Sequence, residues 1–262
     1  MRLHYVEAGT GPLIVLLHGF PEFWFSWRHQ LDALRQAGFR AVAVDQRGYN
    51  LSDKPHRLGA YRIERLAADV AQLIVGLGAE RAAAVVGHDW GGGIAWAFAL
   101  EYPDRLERLV ILNAPHPGTF FRHLANLRQL RKSWYMFFFQ LPWLPEALLR
   151  ANDFAAIRRQ LPEPEYVEAL RQPGALTAAI NYYRAMFRVG PAAVRRMRRR
   201  FEKPVLVIWG QRDRFLGPDL AVPDSRIVPR AEVERLLDAG HWVQLEQPER
   251  VSELLVAFIQ RN

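Results

Sequence analysis

The chain has 262 residues, half of them hydrophobic, and a formal net charge of +8 at pH 7. That length suits one α/β domain, or one domain with an insertion, and the apolar content can fill a sizeable core. There is no cysteine, which excludes disulfides and thiolate metal sites, and no apolar run long enough to span a bilayer. The opening Met1-Arg2-Leu3-His4-Tyr5 lacks the apolar stretch of a signal peptide, so a cytoplasmic protein is expected. Lys54, Lys132 and Lys203 are the only lysines, so arginine carries the positive charge. The densest run, Arg195-Arg196-Met197-Arg198-Arg199-Arg200, comes with no nucleic-acid motif and reads as a solvated helix end.

Arg2 to Glu7 alternates loosely before the turn cluster Gly9-Thr10-Gly11-Pro12 and reads as an edge strand. Leu13 to Leu17 is a continuous apolar run, the composition of a buried parallel strand, and His18-Gly19-Phe20-Pro21-Glu22 follows as a loop. Ser26 is placed to cap a helix with Trp27, Leu31 and Leu34 on one face, ended by Gly38. A strand over Arg40 to Val44 leads into the loop Asp45 to Asn50, and Tyr61 to Leu77 has helical spacing.

Next comes an apolar strand from Ala82 that runs into Gly87-His88-Asp89-Trp90-Gly91-Gly92-Gly93 and then an apolar helix. A strand that turns sharply into a helix needs small residues two positions either side of the turn residue, and Gly87 and Gly91 stand there around Asp89. The turn directs the central carboxylate towards the positive end of the helix, which favours its ionised form. Taken alone, Asp89 reads equally well as an acidic cap on a tight turn.

Leu106 to Leu112 is another strand, so strands and helices alternate this far and predict a doubly wound, mostly parallel sheet. From Gly118 to Arg200 the pattern is helical, proline-broken and rich in aromatics such as Trp134, Tyr135 and Phe137 to Phe139. An insertion of this kind after a sheet strand reads as a lid, with one more packed helical layer as the alternative. Strands resume at Pro204 to Trp209 and Glu232 to Leu236, and Pro248 to Gln260 closes the chain as an amphipathic helix. The expected division is a core of 1–116 and 201–262 with a helical cap at 117–200.

Asp89, Asp213 and His241 each follow an expected strand, in the order nucleophile, acid, histidine. With His18-Gly19-Phe20-Pro21, Gly87-His88-Asp89-Trp90-Gly91-Gly92 and Gly240-His241-Trp242, the chain resembles an α/β-hydrolase with a helical cap, of the epoxide hydrolase branch. Haloalkane dehalogenases share the aspartate nucleophile and are the alternative; a non-catalytic ligand-binding protein on the same fold is a second. The resemblance implies that Asp89 attacks an epoxide carbon and forms an ester. Tyr135 and Tyr183 would then act as the paired cap acids, and His241, oriented by Asp213, would activate water. The backbone N–H groups of Phe20 and Trp90 would form the oxyanion hole.

It further implies a small apolar epoxide and water as the partners, with no cofactor, no metal and no nucleic acid. Trp90 and Gly93 stand where fluoroacetate-type dehalogenases carry arginines, which speaks against a small anionic substrate. Phe20 occupies the position of a dehalogenase's second halide donor. His18, His88 and His116 are expected to support loops. The family's usual first strand lies before Arg2; either the sheet is one strand shorter or the true start lies upstream.

Overall fold

Alternate residues of the first buried strand serve two different cores. Ile14 and Leu16 pack with Trp27, Leu31 and Leu34 on one side of the sheet. Val15 and Leu17 pack with Leu66, Val70 and Ile94 on the other. That two-sided burial is why the strand reads as an unbroken apolar run rather than an alternating one. The computed structural model describes residues 1–123, 126–188, 190 and 195–261.

The described strands are β1 (Tyr5–Ala8), β2 (Leu13–Leu17), β3 (Arg40–Val44), β4 (Ala82–His88), β5 (Leu106–Leu112), β6 (Val205–Gly210) and β7 (Ala231–Leu236). They form one sheet in the order β1-β3-β2-β4-β5-β6-β7. Only β1 runs antiparallel, in register Tyr5↔Val44 to Ala8↔Ala41. This is the doubly wound sheet of an α/β-hydrolase, and no strand lies outside β1 among the described residues. The edge strand starts later than expected because Arg2 pairs elsewhere. Its N–H donates to the Asp53 carboxylate at 2.8 Å, and its carbonyl accepts from the Asp53 N–H at 3.1 Å.

Helix α1 (Arg28–Gln36) and the C-terminal helix Pro248–Ile259 cover one face; α2 (Ile63–Gly76) and α3 (Trp90–Glu101) cover the other. Ser26 does not cap α1. It lies in a tight 3₁₀ turn, Trp24–Trp27, and the helix starts after Trp27 without a side-chain cap. The fully buried Ser26 hydroxyl instead donates to the Tyr166 hydroxyl at 3.2 Å. Tightening the entry turn moved Ser26 away from the helix N-terminus.

Between β5 and β6 the chain is helical. The described elements are α4 (Pro117–His123), α5 (Leu127–Lys132), α6 (Trp134–Phe138), α7 (Leu144–Arg158), α8 (Pro164–Arg171) and α9 (Ala175–Met186). Residues 124–125, 189 and 191–194 of the expected 117–200 segment lie outside the described residues. Within the arginine run, Arg196 and Arg199 pair with Glu101, and Arg200 pairs with Glu202. These are exposed pairs that contribute little to stability.

Candidate active site

The C-terminal ends of β2, β4, β5, β6 and β7 bring the site together, as a parallel sheet requires. Asp89 follows β4 with φ 49° and ψ −117°, a conformation that costs a side-chain-bearing residue about 1–3 kcal/mol. Packing around it enforces the turn. A Cβ on Gly87 would stand 2.3 Å from the Gly91 carbonyl oxygen, and one on Gly91 would stand 2.1 Å from that of Leu17. The glycines at either side of Asp89 are therefore demanded by close backbone approach.

The Asp89 carboxylate does not cap α3, although Asp89 occupies the position before it. Its Oδ1 accepts the Phe20 N–H at 2.9 Å, and its Oδ2 stands 3.7 Å from His241 Nε2. Trp90 N–H is the first of α3, where no intrahelical carbonyl can accept it. Burial alone would raise the Asp89 carboxyl; the nearby His241, the charge of His88 and the Phe20 N–H outweigh that and hold it below its ordinary value.

His241 Nδ1 donates to Asp213 Oδ2 at 2.7 Å. Asp213 is saturated with donors. Asn113 Nδ2 reaches the same oxygen at 2.6 Å, while the N–H groups of Phe215 and Leu216 reach Oδ1 at 2.7 and 2.9 Å. Burial would push Asp213 up, but His241, Asn113 and the Leu216 N–H keep it below the usual carboxylate value. For His241 burial works the other way. The charge and hydrogen bond of Asp213 and the charge of Asp89 overcome that burial and hold its pKa well above that of an ordinary histidine.

Tyr135 on α6 and Tyr183 on α9 meet edge to face, with ring centroids 5.8 Å apart. Burial first, then the charge of Asp89, raises both phenols well above the ordinary value, so both carry their protons. A cavity of about 550 Å³ has Asp89, Tyr135, Tyr183 and His241 in its wall, with Phe139 and Trp242 among its apolar lining. A second, of about 120 Å³, also has Asp89 and Tyr183 in its wall, with Trp90, Phe120, Met136 and Met186. Asp89 and Tyr183 are common to both walls.

A family model for the alpha/beta hydrolase fold matches residues 12–248. The chain is 42 % identical to the AB hydrolase superfamily protein YfhM of Bacillus subtilis, covering 100 % of this chain and 96 % of that protein. It is 40 % identical to Epoxide hydrolase 3 of Xenopus tropicalis, over 100 % of this chain and 76 % of the relative. The crystal structure of the Bacillus megaterium epoxide hydrolase in complex with an inhibitor superposes with a TM-score of 0.89, at 34 % identity over 99 % of this chain and 97 % of that one. This chain belongs to the epoxide hydrolase family of α/β-hydrolases.

In this epoxide hydrolase family member, several residues beside the expected set shape the site. Asn113, at φ 41°, donates to Asp213 and accepts the Gly210 N–H at 2.9 Å, locking the ends of β5 and β6 together. Its left-handed backbone, which asparagine tolerates, was the available sign in Asn113-Ala114-Pro115. Glu22 is buried and accepts from Gly19 N–H and Gln244 Nε2, both at 2.8 Å, while its Oε2 lies 2.7 Å from His88 Nδ1. No sequence spacing pairs Glu22 with His88, because the contact joins two loops 66 residues apart.

The supporting histidines behave as expected. His18 lies between the Gly19 carbonyl and the Gln46 N–H, and His88 Nε2 donates to the His241 carbonyl at 2.8 Å. His116 accepts the Gly118 N–H at 3.2 Å through Nδ1.

Proposed function

We propose that this chain hydrolyses an apolar epoxide to a vicinal diol through an ester on Asp89. The observation that carries the reading is the shared cavity wall, where an ionised carboxylate, two protonated phenols and a carboxylate-bound histidine face one space. Family membership supports the same activity, since the curated relatives named above include an epoxide hydrolase.

With Oδ1 held by the Phe20 N–H, Asp89 Oδ2 attacks one ring carbon as the C–O bond breaks. A phenol of Tyr135 or Tyr183 gives its proton to the departing oxygen, and the other donates a hydrogen bond to it. In the resting site two carboxylates hold a proton on His241; alkylation of Asp89 cancels one of those charges, the His241 proton passes through solvent to the tyrosinate left by ring opening, and the neutral imidazole can act as a base. Water then gives a proton to His241 Nε2 and attacks the ester carbon. The oxyanion gathers on Oδ1, facing Phe20 and Trp90 N–H groups that would contribute about 3–4 kcal/mol each. The Cγ–O bond breaks, the leaving alkoxide takes the proton back from His241, the Asp89 carboxylic acid then gives its proton to His241, and the diol departs.

The helical segment 117–200 acts as a lid in this reading, over a core of 1–116 and 201–262, because it supplies both phenols. Two largely apolar cavities with Asp89 in both walls favour an epoxide with an apolar substituent reaching into each. The two phenols, and Phe20 in place of a halide donor, favour an epoxide over a haloalkane. The cytoplasmic setting belongs to the same proposal and rests on the cysteine-free composition.

The deciding experiment offers purified protein a panel of terminal and internal epoxides, and a chloroalkane, in water labelled with oxygen-18. A single limiting turnover should leave the label in Asp89 and an unlabelled diol, since the diol's new oxygen comes from the carboxylate. Halide release without any diol would move the assignment to a dehalogenase.

A further inference from the structure

Gln129 lies on α5, in a stretch with no catalytic signature, and is only 5 % exposed. Its amide is fully engaged. Oε1 accepts the Gly217 N–H at 3.0 Å, and Nε2 donates to the Phe215 carbonyl at 2.9 Å and to Ser133 Oγ at 3.0 Å. The first two bonds grip the outer edge of the loop that begins at Asp213, while its inner N–H groups, from Phe215 and Leu216, bind the Asp213 carboxylate. The third reaches the fully buried Ser133 at the junction of α5 and α6, two residues before Tyr135. Lys132 adds a fourth tie, its Nζ donating to the Asp213 carbonyl at 2.8 Å.

The gripped loop carries Phe215, whose ring stands between the two chemical groups. Its centroid lies 5.7 Å from that of Tyr135 and 5.1 Å from that of His241, edge on to both. We propose that Gln129 is a positioning residue that clamps the Asp213 loop to the helix pair bearing Tyr135, so that Phe215 spaces the phenol from the histidine. One buried amide thereby sets the geometry of both chemical steps. Without it, the Phe215 carbonyl and Gly217 N–H lose their partners and the loop relaxes. Phe215 then no longer holds Tyr135 over the epoxide oxygen or His241 against Asp213. The inference rests on the epoxide reading.

The test compares wild type with Gln129→Met, which keeps the side-chain length but not the hydrogen bonds. Single-turnover rates of adduct formation and adduct decay are followed by mass spectrometry across pH, on the full chain. A displacement on the scale of an ångström predicts a loss of about 10- to 100-fold in both rates. The charged and titratable groups around His241 are Asp213, Asp89, His88, Tyr135 and Tyr183, with Lys132 on the Asp213 backbone and Arg131 and Arg214 in the same cavity wall. Loosening Asp213 removes the strongest of the groups holding a proton on His241, so the midpoint for adduct decay should move to lower pH.

Phe215→Leu leaves both Gln129 bonds to the loop in place and removes only the ring. It should reproduce the slowed adduct formation, and it carries the test if Gln129→Met does not fold. A Gln129→Met protein that is less stable yet keeps wild-type rates and pH midpoint would overturn the proposal, making Gln129 a stabilising stitch only. Wild-type rates in Phe215→Leu would do the same. Wild type forming no adduct with any epoxide would instead overturn the proposed function itself.

Discussion

His88 Nδ1 and Glu22 Oε2 lie 2.7 Å apart with neither side chain reached by solvent. Because His88 Nε2 must donate to the His241 carbonyl, the pair ties the oxyanion loop, the turn before Asp89 and the histidine loop into one unit. Burial would raise the Glu22 carboxyl, but His88, His18 and the Gly19 N–H hold it below its ordinary value. Removing one member leaves the other buried without its partner. Glu22→Ala is expected to cost about 3–5 kcal/mol of stability, read from urea unfolding. A change of a few tenths would show that the pair does not hold the loops together.

Asp89 and His241 are assigned to different steps, so their variants should fail differently. Asp89→Ala should lose turnover by about 10⁴-fold or more and show no covalent adduct. His241→Gln should still open the epoxide and then stop, with protein mass increased by one substrate. Acidifying wild type should imitate that variant, because a protonated His241 cannot accept a proton from water and the ester then outlasts its formation. An absence of adduct in His241→Gln under excess epoxide would sink the two-step scheme.

Tyr182 and Tyr183 are adjacent, yet the proposed mechanism uses only Tyr183. The Tyr182 hydroxyl donates to the Arg47 carbonyl at 2.6 Å. Tyr182→Phe should therefore cost about 1 kcal/mol of stability and leave turnover intact. Tyr135→Phe and Tyr183→Phe should each slow adduct formation, and the double variant should lose about 10²- to 10⁴-fold. Full activity in the double variant would remove both phenols from the mechanism.

His116 is 2 % exposed, packs against the Trp96 ring and has its pKa lowered from 6.5 to about 4, chiefly by burial. The folded protein thus holds this imidazole neutral while the unfolded chain protonates it near 6.5. As pH falls from 6.5 to about 4, the unfolded state gains a proton that the folded state refuses, and stability drops. The loss should reach about 3 kcal/mol by the end of that window. His116→Gln should lack this component; equal acid sensitivity in both proteins, measured by urea midpoints at pH 7 and pH 4.5, would refute it.

Local chemistry was legible in the chain. Gly87 and Gly91 around Asp89 announced a sharp turn, because only residues without a Cβ let these backbones approach. Unbroken apolar runs such as Leu13 to Leu17 announced strands covered on both faces. The gathering of Asp89, Asp213 and His241, after β4, β6 and β7, followed from the rule that parallel strands deliver their loops to one edge. Ser26 misled because its capping preference is a local tendency, and burial against Tyr166 overrode it. What tertiary structure decided were the pairings across long stretches of chain: Glu22 with His88, Asn113 with Asp213, Gln129 with Phe215 and Gly217. Periodicity and turn chemistry act over a few residues, whereas a hydrogen bond between loops depends on how helices and strands have already packed.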